Sequence, residues 1–77
     1  MITVKQAADV LRKTHPERTI VECRELPGHW LFTALENPNE PDYNDPFYAV
    51  GKKDGKIYSY SPFDDIDNFN DAKTVEF

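Results

Sequence analysis

Residues 47–60, FYAVGKKDGKIYSY, decide the fold because they contain the strongest local structural signal in the chain. Segments rich in apolar and aromatic residues lie on both sides of Asp54-Gly55. Asp-Gly between two such segments is typical of a β-hairpin, because its tight turn needs positive φ angles. With Asp54-Gly55 as the two turn residues, the spacing predicts that Gly51 lies opposite Tyr58. The Tyr58 ring would then cover the bare glycine backbone.

Two further strands are predicted before this hairpin. Residues 19–26 alternate in polarity, which places Val21 and Cys23 together on the inward face. Pro27-Gly28 is a turn signal. Residues 29–36 then carry apolar side chains on both faces, and this pattern is typical of a central strand.

Helices are predicted on either side of the strands. Thr3 and Gln6 have the spacing of a capping box, and the apolar residues that follow recur at helical spacing, so a helix is expected over about residues 3–14. Ser61-Pro62 has the pattern of a second, short helix start. Residues 73–77 indicate a last strand. Three apolar residues at three-residue spacing are predicted to lie on the sheet: Phe63, Ile66 and Phe69.

The order of these elements predicts a single small α+β domain over residues 1–77. In it, an N-terminal helix packs on one face of an antiparallel β-meander of four to five strands, with a short C-terminal helix, in two layers. A chain of 77 residues buries only about 60% of its unfolded surface, so we expect marginal stability. Trp30, four tyrosines and five phenylalanines nevertheless favour an ordered chain over a disordered acidic segment.

Composition excludes several classes of function. The net charge of −5 disfavours binding to nucleic acid, because affinity for the phosphate backbone comes from lysine and arginine. No apolar run approaches the roughly 20 residues that span a bilayer, so no membrane partner is expected. The N-terminal residues lack the pattern of a signal peptide. One cysteine cannot form an internal disulfide framework, and we expect a cytoplasmic protein.

The chain has few residues suited to catalysis. Cys23, His15 and His29 are the only conventional nucleophile and base candidates, and Cys23 is predicted to face inward as a small hydrophobic residue. Their spacing matches no common metal site. We therefore expect no enzyme activity, no catalytic residues, no bound metal and no cofactor.

The acidic residues 64–71 raise calcium binding as an alternative. If Asp65 were position 1 of an EF-hand-type loop, Asp67 would stand at position 3 and Glu76 at position 12. Positions 5 and 6 lack the side-chain oxygen and the glycine that such a loop needs. Acids in the first turn of a helix explain the same residues more simply.

Charge is distributed unevenly along the chain. Residues 1–35 carry five basic and four acidic groups, a net of +1, whereas residues 36–77 carry four basic and ten acidic groups, a net of −6. An edge that gathered these acids would attract a basic protein, although a merely solvated face is the simpler alternative. Tyrosine among carboxylates suits protein contacts. The predicted partner-binding residues are Glu40, Asp42, Tyr43, Asp45, Asp64, Asp65 and Asp67.

Three segments carry a family resemblance: residues 45–50 (DPFYAV), 54–57 (DGKI) and 60–64 (YSPFD). They resemble the pattern of small bacterial and prophage-encoded proteins of the YrhB-like group, which is associated with toxin immunity, over about residues 29–64. The resemblance implies a non-catalytic protein that binds another protein, with no residue-level site. A prophage structural or accessory protein that self-associates, for example as a homodimer, is the alternative.

Overall fold

A five-stranded antiparallel sheet forms the centre of the molecule in the computed structural model, which describes residues 1–37, 39–40 and 47–77. Its strands, in chain order, are β1 (Thr19–Glu25), β2 (His29–Leu35), β3 (Phe47–Gly51), β4 (Ile57–Tyr60) and β5 (Lys73–Val75). Their order across the sheet is β4-β3-β2-β1-β5. Within the described residues two helices accompany them, α1 (Val4–Thr14) and α2 (Ile66–Asp71), with a 3₁₀ turn at Pro62–Asp64. The predicted α+β fold is confirmed.

Helix α1 covers one face of the sheet. Its capping box is present: Thr3 Oγ1 accepts a hydrogen bond from the Gln6 backbone N–H at 3.2 Å, and Gln6 Oε1 accepts one from the Thr3 N–H at 2.8 Å. The two bonds satisfy N–H groups that a helix start leaves without partners. Apolar residues of the helix and of the central strands then form the larger part of the core: Ala7, Ala8, Leu11, Cys23, Phe32, Ala34 and Val50.

Helix α2 covers part of the opposite face. Because β4 and β5 lie at opposite edges of the sheet, the chain between them must cross it, and it does so on the side away from α1. Phe69 packs there, with its ring centroid 5.6 Å from that of Phe47 and 6.5 Å from that of Tyr60. The domain therefore has a partial third layer where two layers were predicted.

The β3–β4 hairpin differs from its predicted register. Ala49, not Gly51, lies opposite Tyr58, because residues 52–55 form a four-residue loop. The Gly51 N–H donates to the Lys56 carbonyl at 2.9 Å and closes this loop, and Gly55 takes the positive φ of 68°. A long-range contact explains the longer loop, since Lys52 Nζ reaches Glu25 Oε2 at 2.7 Å.

Strand β1 contains an irregularity that the alternation does not predict. The register with β2 shifts between Ile20 and Glu22, so that Ile20 packs against the core. Val21 is 47% exposed, and the prediction that it faces inward is wrong. Cys23 is fully buried as predicted.

Candidate functional site

The most unusual surface of the described chain is residues 63–67, FDDID, which we call the acidic segment. Phe63 is 91% exposed and Ile66 is 46% exposed. The 3₁₀ turn begins at Pro62 and ends at Asp64, so it directs the Phe63 ring away from the sheet before α2 returns to it. The prediction that Phe63, Ile66 and Phe69 all lie on the sheet holds for Phe69 and is wrong for Phe63.

The carboxylates of the acidic segment have little local compensation. Among the ion pairs formed between described residues, none includes an acid of this segment; the pairs are Arg12–Asp9, His15–Glu17, Arg24–Glu22 and Lys52–Glu25. Asp64 and Asp67 are exposed to solvent. The segment thus combines an exposed aromatic ring with negative charge that no described cation neutralises.

A groove of about 330 Å³ lies beside the acidic segment, between β4 and α2. We call it the β4–α2 groove. Tyr58 and Tyr60 of β4 line it, together with Asp65 and Asn68. The remaining lining comes from the β1–β2 turn and from β3: Leu26, Pro27, Gly28, His29, Ala49 and Ser59 complete it.

Hydrogen bonds fix the carboxylate in this groove. Tyr60 Oη donates to Asp65 Oδ2 at 3.1 Å, and Asn68 Nδ2 donates to Asp65 Oδ1 at 2.9 Å. Partial burial, together with the bond to the Asp65 carboxylate, raises the pKa of Tyr60 above its ordinary value of 10.0. The phenol therefore stays a neutral donor at physiological pH, and the carboxylate is held in one orientation.

Two rings at the groove are positioned by further contacts. The His29 ring meets the Tyr58 ring edge-on, with centroids 5.8 Å apart. Tyr58 Oη donates to Asp54 Oδ2 at 3.4 Å. The Asp54 carboxylate also accepts the Lys56 backbone N–H at 3.0 Å, which is the main cause of its lowered pKa. A loop carboxylate thus links the hairpin turn to the ring of Tyr58.

Four of the seven predicted partner-binding residues belong to the part of the chain that the structure describes. Asp64, Asp65 and Asp67 share the acidic segment, whereas Glu40 is exposed in the β2–β3 connection. The other three lie outside the described residues: Asp42, Tyr43 and Asp45. Thr33 of β2 pairs with Phe47 of β3, which pairs in turn with Tyr60 of β4. The β2–β3 connection therefore leaves and rejoins the sheet at the same end at which the chain leaves β4 for the acidic segment.

The nucleophile and base candidates do not share contacts. Cys23 is buried, and burial, together with nearby Glu22 and Glu25, raises its pKa to about 12. His15 stacks on Tyr48 with centroids 4.6 Å apart, while His29 lies against Tyr58. These contacts place the two histidines in separate aromatic pairs, and the thiol is held in its unreactive protonated form.

The described residues also form no ligand set for a metal. No three or more His, Cys, Asp or Glu side chains within 1–37, 39–40 and 47–77 converge on a common point. Residues 66–71, which would belong to the calcium loop of the sequence-based alternative, form helix α2. One carboxylate of that alternative, Asp65, is bound by Tyr60 and Asn68 instead.

Sequence reasoning missed the groove and the exposure of Phe63. The groove depends on the crossing of α2 over the sheet. This crossing places Asn68 of α2 in the same groove as Tyr60 of β4 and His29 of β2. The exposure of Phe63 had one signal in the sequence: Pro62 before it and two acids after it favour a short turn rather than a buried helical stripe.

Comparison of the chain with protein-family models, with curated proteins and with solved structures returned no match. In the part of the chain that the structure describes, no helix has the length and the apolar character needed to cross a bilayer.

Proposed function

We propose that this chain is a non-catalytic protein-binding module that captures a basic partner through its acidic segment. The observation that carries the proposal is Phe63, a large aromatic ring that is 91% exposed and is followed directly by Asp64 and Asp65. Burying such a ring against a partner contributes about 2 kcal/mol of favourable free energy. Folding does not gain this free energy, because the ring stays exposed in the folded chain. Exposed aromatic rings of this kind are typical centres of protein interfaces.

Electrostatics support a basic partner. Asp64 follows Phe63 and Asp67 follows Ile66 in the sequence, and neither acid has an ion-pair partner among the described residues. Charges of one sign around an apolar contact accelerate association with an oppositely charged surface, and salt weakens this attraction by screening it. An aromatic contact with an acidic rim therefore predicts binding that is both dependent on Phe63 and sensitive to ionic strength.

The resemblance to the immunity-associated group suggests a biological role for such binding. We propose that the protein acts in the cytoplasm as an immunity-type inhibitor, covering a basic surface of a toxin with its acidic segment. Inhibition by occlusion needs no catalytic residue, which agrees with the protonated thiol of Cys23 and the separate positions of His15 and His29.

Affinity capture from a lysate of the source cells tests this proposal. The tagged chain should retain a basic protein at low salt and release it at moderate salt. Phe63→Ala should weaken binding of that protein about tenfold or more, which is the usual effect at an interface centre. Val21→Ala is the matched control, because Val21 is also exposed but lies on β1. Equal capture by the two variants would contradict the proposal.

One observation favours a second function, self-association. Strand β4 lies at the edge of the sheet, and no described strand pairs with its outer side. Its sequence, IYSY, carries neither a charge nor a proline, the features that commonly protect an edge. A homodimer through β4 would suit a structural or accessory role. Sedimentation velocity across a micromolar dilution series decides this, and a monomer throughout would reject it.

A further inference from the structure

The groove between β4 and α2 has the chemistry of a site for a planar cation. The rings of Tyr58 and Tyr60 and the Asp65 carboxylate all line it. Each Asp65 oxygen accepts one hydrogen bond from within the chain, at 3.1 Å from Tyr60 and at 2.9 Å from Asn68. A carboxylate oxygen can accept a further bond. Asp65 is thus oriented by the protein and still able to bind a ligand.

We propose that the β4–α2 groove binds an arginine side chain of the partner protein. The guanidinium would stack on the tyrosine rings while its N–H groups donate to Asp65. This inference rests on the proposed function, because it names the group that the basic partner contributes. Asp65 belongs to the acidic segment as well as to the groove, so one partner could contact Phe63 and fill the groove together.

The chain itself shows this mode of arginine binding on the same helix. Arg24 lies over the Phe69 ring, with its guanidinium carbon 4.5 Å from the ring centroid. Its Nε donates to Glu22 Oε1 at 2.7 Å, and its Nη1 donates to the Phe69 carbonyl at 3.4 Å. An aromatic ring and a carboxylate therefore already hold one guanidinium against α2. The groove offers the same pair of groups without a bound cation of this chain among its lining residues.

Arginine fits the groove better than lysine for two reasons. Its planar guanidinium stacks on aromatic rings, and its several N–H groups match the geometry of a carboxylate. Lysine is a compact and strongly hydrated charge that gains less from flat walls. The overall charge of −5 further favours a cationic ligand over an anionic one.

An NMR titration of the intact chain with acetyl-Gly-Arg-Gly-amide tests the inference. The amide signals of groove residues should shift: Ala49, Ser59, Tyr60 and Asn68. The same peptide with lysine, or with citrulline as the uncharged isostere of arginine, should bind more weakly. Asp65→Asn should lower the affinity about tenfold, the loss expected for a charge-assisted hydrogen bond. Asp71→Asn is the matched control, because Asp71 lies on α2 but outside both the groove lining and the acidic segment.

The outcomes separate this inference from the proposed function. Equal effects of D65N and D71N, or equal binding of the citrulline peptide, would show diffuse attraction and overturn the groove assignment. Equal binding of the lysine peptide would overturn the preference for arginine. If D65N alters the fold, seen as loss of amide dispersion, Tyr58→Leu removes one ring and should also weaken binding. Capture that depends on Phe63 without groove shifts rejects the inference alone. Groove shifts with capture independent of Phe63 reject the proposed function in its stated form.

Discussion

Cys23 is the residue whose chemistry the fold alters most. The side chain is fully buried between α1 and the sheet, and its pKa is raised to about 12, first by burial and then by the negative charges of Glu22 and Glu25. The ordinary pKa of the thiol is 9.0. The folded state thus favours the protonated thiol, and this contribution to stability is full below the ordinary pKa and lost as pH rises through about 12.

The native chain should therefore react very slowly with a thiol reagent. At pH 8 the thiolate fraction of native Cys23 should be roughly a thousandfold lower than that of the unfolded chain, before steric protection is counted. Absorbance with Ellman's reagent, in buffer and in guanidinium chloride, measures both states of the same protein. Complete reaction of the native protein at the rate of the denatured protein would contradict the burial of Cys23.

Alternation along a strand predicts side-chain direction only where the ladder is regular. It correctly placed Cys23 inward, because Cys23 pairs with Phe32 in a regular part of β1. It failed two residues earlier, at Val21, because the register shift between Ile20 and Glu22 inserts an extra residue. A bulge is a property of the strand pair, so the sequence of one strand does not reveal it.

At the scale of elements, helix α2 depends on one aromatic side chain. It has only six residues, too few for stability from helix propensity, so its packing must hold it in place. Phe69 packs against Phe47 and Tyr60 and lies under Arg24. We expect the whole crossing from β4 to β5 to loosen when this ring is removed.

A pair of phenylalanine variants tests this dependence. Phe69→Ala should lower the free energy of unfolding by about 2 kcal/mol, the value of an apolar side chain largely removed from water. Phe63→Ala, the same substitution six positions earlier, should change it by less than about 0.5 kcal/mol, because Phe63 is 91% exposed. Urea unfolding followed by Trp30 fluorescence measures both. Equal losses in the two variants would contradict the packing described for α2.

The elements themselves were predictable where their signals are local. The capping box of Thr3 and Gln6 located the start of α1, and Asp54-Gly55 located the β3–β4 hairpin. The hairpin register was not predictable, because Lys52 leaves the ladder to contact Glu25 and the face of Trp30, residues distant in sequence. The orientation of Phe63 and the groove beside it likewise depend on where α2 crosses the sheet.

At the scale of the whole molecule, negative charge is concentrated in the second half of the chain. Residues 36–77 carry a net charge of −6, and the described ion pairs leave Asp64 and Asp67 without a cationic partner. Like charges that are not paired repel one another and oppose the compact state. These carboxylates therefore give the fold no described contact, whereas a basic partner would benefit from both.

Neutralising the two acids should consequently separate binding from stability. The double variant Asp64→Asn/Asp67→Asn should have a thermal midpoint close to that of the parent, because relief of repulsion offsets the loss of two acids from the first turns of their helices. No described ion pair is lost. The same variant should bind the captured basic partner more weakly at low salt and show a smaller decline of affinity with salt. Calorimetric unfolding and binding at two salt concentrations provide the measurements.

Asp9→Asn is a suitable control, since Asp9 pairs with Arg12 on α1, away from the acidic segment. A fall in the thermal midpoint without a change in salt dependence would show that the two carboxylates serve the fold rather than a partner.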